Sequence, residues 1–91
     1  MQLPDTTALI VKTELVAEIA GIIRRRRLTQ GQAARVLGID QPKISALLSG
    51  KLGGFSMDRL LRFLALLERD IEIVLRPTHR HRTGRIAVSR G

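Results

Sequence analysis

The sequence contains no cysteine, tryptophan or tyrosine, and its aromatic residues are two phenylalanines. The first absence excludes disulfides and thiolate metal sites; the others leave Leu, Ile and Val to build the core. Histidine is scarce as well. His79 and His81 lie close together in "HRH", with no carboxylate cluster beside them for metal binding or acid–base work. The chain is therefore expected to have no catalytic residue, no metal and no cofactor, and to be no enzyme. At 91 residues it can hold one small core and no large cleft, so stability must come from helix packing or from association of copies. A long apolar run is missing too. The most apolar early segment, Leu9–Ile23, carries Lys12, Glu14 and Glu18 and leads into Arg24–Arg27 rather than a small-residue cleavage site. The expectation is a soluble cytoplasmic protein with no membrane partner.

Acidic residues are few, 8 against 16 Lys and Arg, and the net charge of +8 is unevenly spread. The first 23 residues are slightly acidic (Asp5, Glu14 and Glu18 against Lys12), and residues 52–76 balance. The excess falls on residues 24–51, with Arg24–Arg27, Arg35, Lys43 and Lys51 against Asp40, and on the tail, with Arg80, Arg82, Arg85 and Arg90. A basic middle segment without aromatic membrane anchors favours nucleic acid as the polyanionic partner.

Helical periodicity is plain from about Thr7 to Arg26, where Leu15, Ile19, Ile22 and Ile23 form the centre of an apolar stripe. Arg24–Arg27 end that helix, where cations suit the negative pole of the macrodipole; the same run could bind phosphate. Thr29 with Gln32 makes a capping box, and Leu28 can staple against Ala33, so a short second helix is expected to about Leu37. Gly38 supplies a residue tolerant of positive φ at its end. Asp40 is the next N-cap, and Pro42 fits the first turn of a third helix that Gly50 stops. Ser56 caps a fourth, with Asp58 in its first turn and Leu60, Leu61, Phe63, Leu64 and Leu67 as its apolar face.

"DIEIVLR", residues 70–76, then alternates: Ile71, Ile73 and Leu75 on one side, Glu72, Val74 and Arg76 on the other, before Pro77. This is a strand pattern. A lone strand in a helical chain has no ladder partner, and the simplest resolution is pairing of two copies across a two-fold axis. Residues 78–91 are basic and poor in apolar side chains, and are expected to be flexible or only weakly ordered alone.

Two short helices joined by a turn at Gly38–Asp40 form a helix-turn-helix over residues 29–49. Ala34 is small enough to permit a close crossing. In DNA-binding versions the start of the second helix enters the major groove. The outward residues here are chemically apt for base reading: Gln41 can bond adenine bidentately, Lys43 can reach guanine, and Pro42 or Ala46 can touch a thymine methyl. Gln30, Ser45, Ser49, Lys51 and Arg27 are candidates for phosphate contact.

"LTQGQAARVLGIDQPKISALLSGK" resembles the Xre-type, lambda-repressor-like helix-turn-helix, with "TQ" opening the first helix of the motif, Gly at the turn and "Q-x-x-I-S-x-L-x-x-G" in the recognition helix. Continued through "FSMDRLLRFLALLERDIEIVLRP", the chain is similar to the HigA-like antitoxin branch of that family. The resemblance implies an all-α fold of five or fewer helices over residues 1–77, with the C-terminal strand pairing across a dimer. It implies a homodimer that binds a palindromic double-stranded operator and represses its own operon, often beside a RelE-like ribonuclease toxin. By the same resemblance, base reading falls on Gln41, Pro42 and Lys43 and phosphate contact on Gln30, Ser45 and Lys51. Pro42 departs from the pattern, because it has no side-chain donor. Two other readings stand beside this one: a toxin-neutralising interaction module, and a free-standing regulator without a toxin. RNA binding is disfavoured by the lack of aromatic stacking platforms.

Overall fold

The structure is a computed structural model and describes residues 5–79 and 81–90. It is all-α in its regular elements: α1 (Asp5–Arg25), α2 (Gln30–Leu37), α3 (Gln41–Leu48) and α4 (Met57–Leu66), with a single 3₁₀ turn at Leu52–Gly54 between the last two. α2, α3 and α4 each start where the sequence places a cap. The Thr29 hydroxyl accepts from the Gln32 amide at 3.1 Å while the Gln32 side chain accepts from the Thr29 amide at 2.8 Å, which closes the capping box. Asp40 accepts from the Lys43 amide at 2.9 Å, and the Ser56 hydroxyl takes the Arg59 amide. A hydrogen bond from the Ser56 side chain, with further ones from backbone amides, holds the Asp58 carboxyl below its ordinary value of 3.8.

All four helices end in the same way. In each, the amide two residues past the last turn bonds back to a carbonyl five positions earlier: Leu28 to Ile23, Ile39 to Ala34, Lys51 to Ala46 and Arg69 to Leu64, at 2.9–3.0 Å. The residue between is left-handed each time: Arg27 (φ 55°), Gly38 (φ 70°), Gly50 (φ 83°) and Glu68 (φ 64°). This is the Schellman closure, which satisfies carbonyls a helix end would otherwise leave orphaned.

The core is one aliphatic cluster. Ile19, Ile22, Ile44, Leu47, Leu60 and Leu67 are fully buried, and Phe55 and Phe63 meet edge to face at 6.1 Å. α1 packs chiefly against α4, and α2 against α3. Ala33 and Ala34 are buried in that crossing, as their size allows, and Leu28 packs at its edge. Leu52 and Phe55 are also buried, so the segment between α3 and α4 is a packed 3₁₀ turn. Among the described residues no helix is long and apolar enough to cross a membrane.

One expectation needs correction. Residues 70–76 form no strand: Ile71, Ile73 and Leu75 are exposed, the last two 76% and 90%, with no ladder partner. The cause is physical, because strand hydrogen bonds need a second strand and the described residues supply none. The tail has no regular element among its described residues, and two of its side chains touch the helical body. Val88 is half-buried against the core, and Arg90 pairs with Glu18 of α1 at 2.6 Å. Arg80 and Gly91, part of the expected basic tail, lie outside the described residues.

Candidate nucleic-acid interface

The recognition helix is divided by its own periodicity. At 100° per residue, Ile44, Leu47 and Leu48 fall on one side of α3. The first two are fully buried and Leu48 is partly so, which fixes the opposite side outward. Gln41, Pro42, Lys43, Ser45 and Ser49 are exposed and Ala46 is half-buried. Pro42 stands near the middle of the outward face, with Gln41 and Lys43 on either flank, about 160° apart around the axis. Those two side chains therefore address different edges of whatever the helix enters.

Lys43 and Lys51 are brought together. With Asp40, Pro42, Ala46 and Phe55 they line a shallow groove between α3 and the 3₁₀ turn. Its lining combines apolar side chains with two lysines and the Asp40 carboxylate, which accepts from the Lys43 amide. Phe55 as a wall of this groove was not read from the sequence; the only signal was an aromatic residue directly after Gly53–Gly54. Arg59 lies 5.6 Å from the ring centres of both Phe55 and Phe63, so a cation–π contact fastens that wall to α4.

Gln30 is exposed at the first position of α2, where the leading amides have no intrahelical acceptor. Arg27 is exposed three residues before it. The other members of the arginine run divide differently. Arg25 pairs with Glu18 at 3.4 Å, and Arg26 donates to the Leu67 carbonyl at 2.6 Å, tying the end of α1 to the end of α4. Ser49 is also partly committed, since its hydroxyl donates to the Ala46 carbonyl at 3.1 Å. It can offer a phosphate no proton without breaking that bond.

A short capped helix crossed by a second one, with small and polar side chains at the front of the second, defines a helix-turn-helix protein of the DNA-reading class. Residues 1–76 match the helix-turn-helix domain family, and the chain belongs to it. A solved structure whose given name is XRE family transcriptional regulator is similar at 44% identity, with a TM-score of 0.92 over 97% of this chain and 100% of that one. No curated protein matches the sequence. Family and fold together make this chain a DNA-binding transcription regulator.

Proposed function

We propose that the chain is a sequence-specific, dimeric repressor that acts in the cytoplasm by binding and not by catalysis. Two copies occupy a palindromic operator, and each sets α3 into a major groove. The observation that carries this reading is the outward face of α3: Gln41, Pro42, Lys43 and Ala46 are presented at the front of a helix whose other side is locked into the core. Gln41 and Lys43 supply polar base readout on opposite flanks, and Pro42 and Ala46 supply methyl contact. Gln30, Arg27, Ser45, Ser49 and Lys51 hold the phosphates, with the α2 N-terminus contributing its amides. Ser49 is the weakest of these, because its proton is already used.

Gln41→Ala tests the assignment. It should cost about 1–3 kcal/mol on the operator and little on random DNA. Lys51→Ala should weaken both alike and make the salt dependence shallower by about 0.9 in log–log slope per contact. Equal losses on the two DNAs for Gln41→Ala would remove it from the base-reading set. Footprinting should show half-sites roughly 34 Å apart, one helical turn.

The resemblance of "FSMDRLLRFLALLERDIEIVLRP" to the HigA-like branch supports extending the reading to an antitoxin that represses its own operon and neutralises a RelE-like ribonuclease. Mixing the protein with the product of the adjacent reading frame decides this. A complex that silences ribonuclease activity supports the antitoxin role, and absence of any complex leaves a free-standing regulator.

A further inference from the structure

Along one flank of the reading face runs a groove whose wall has no part in the contacts assigned above. Pro42, Lys43 and Ala46 line it from α3, and Lys51 and Phe55 from the turn that follows. At 100° per residue, Lys43 and Ala46 turn toward this flank, whereas Gln41 and Ser45 turn to the other. Phe55 is buried and held in place: its ring meets Phe63 edge to face at 6.1 Å, and the Arg59 guanidinium stands 5.6 Å from its centre. A preformed apolar wall thus adjoins both the base-reading helix and a lysine placed for phosphate. We infer that the groove receives the C5 methyl group of one pyrimidine, thymine or 5-methylcytosine, and that Phe55 is a specificity-determining residue. This rests on the reading of α3 as the DNA-contacting helix and deepens it.

The stereochemistry of the major groove suits this occupant. The C5 methyl of a pyrimidine projects from the base edge on the side of its own strand's backbone, so its neighbours are a base acceptor or donor and a phosphate. The protein groove offers the matching set: Pro42, Ala46 and Phe55 for the methyl, and the ammonium groups of Lys43 and Lys51 for the base acceptor and the phosphate. Asp40 also lines the groove, but its carboxylate accepts from the Lys43 amide, and the two lysines outnumber it. Lys43 separates the two sources of the methyl. It can donate to O4 of thymine, where 5-methylcytosine presents an N4 donor, so thymine is preferred and the methyl contributes on either base.

The test uses the full chain and a duplex that it selects from random sequence. Each thymine is replaced in turn by deoxyuridine, which removes the methyl and nothing else. One position per half-site should lose about four-fold in affinity, the worth of one buried carbon. At that position 5-methylcytosine should bind more tightly than cytosine by about the same factor. Phe55→Ala should bring thymine and deoxyuridine within about two-fold of each other. Because Phe55 belongs to the core, Gly54→Leu gives a second route. Gly54 lines the groove, a Cβ there meets no atom within 4 Å, and its backbone is not left-handed, so a side chain can fill the groove without disturbing the fold. It too should abolish the difference. Sequence-specific binding with no methyl effect at any thymine, or with cytosine and 5-methylcytosine bound alike, overturns the groove assignment and leaves α3 as the reader. A methyl effect that survives Gly54→Leu unchanged does the same. A chain that selects no sequence overturns both.

Discussion

Pro42 occupies the centre of the outward face of α3, where a polar side chain would read a base and a ring can offer only apolar contact. Its missing amide costs the helix nothing in the first turn, so the fold tolerates it and discrimination passes to the flanking Gln41 and Lys43. The arginine run shows the opposite division of labour. Arg26 is engaged inside the fold: its guanidinium donates to the carbonyl of Leu67, which caps the end of α4, where a cation also suits the helix pole. Arg26→Ala should cost about 1–2 kcal/mol of stability, read as a lower urea midpoint at unchanged slope, and leave the affinity of folded protein for operator DNA unaltered. A loss of DNA affinity with full stability would return Arg26 to the phosphate-contacting set.

At the scale of elements, four helices share one closure and fill its left-handed position with two glycines and two larger residues. Gly38→Ala and Gly50→Ala should each destabilise by about 1 kcal/mol, because a Cβ at positive φ is strained although the space around both is open. The converse holds at Arg27 and Glu68, where glycine should stabilise by about 0.5–1 kcal/mol. Arg27→Gly gives two signals at once: a higher melting temperature and weaker binding to any DNA, with a shallower salt slope. If affinity were unchanged, Arg27 would hold no phosphate and its strain would have no functional counterpart.

These helix ends also show what was legible beforehand. Thr29, Gln32, Gly38, Asp40, Gly50 and Ser56 act on residues within one turn of themselves, so their roles follow from spacing alone. The outward face of α3 was legible for the same reason, since three apolar residues fix it. The closures at Arg27 and Glu68 were hidden, because neither residue type advertises positive φ. The 3₁₀ turn, the Phe55 wall and the Arg26 bond depend on partners distant in sequence, which no local pattern encodes. Residues 70–76 failed differently: their alternation is real, but among the described residues no second strand pairs with them.

The whole molecule is larger than a compact chain of its length, with a radius of gyration of 14.6 Å, against about 12 Å expected for 91 residues. The chain leaves the core after Leu67, which is fully buried, and returns to it at Val88. That stretch is held at both ends, so residues 70–76 are presented on a tethered excursion rather than on a free tail. Tethering reduces the conformational entropy that would be lost in binding any partner there. Truncation after Pro77 should therefore act twice. It removes the Val88 packing and the Arg90–Glu18 pair, which together contribute about 1–2 kcal/mol, mostly from Val88 because the ion pair is exposed. It also frees one end of the excursion and should weaken binding of any partner there, a second copy included. Val88→Ala should reproduce most of the stability loss and Glu18→Gln little of it, with urea midpoints and sedimentation as the readouts. A truncated chain with an unchanged midpoint and an unchanged dimer constant would mean that the tail contributes neither packing nor tethering in solution, leaving its arginines to be explained by contact with DNA alone.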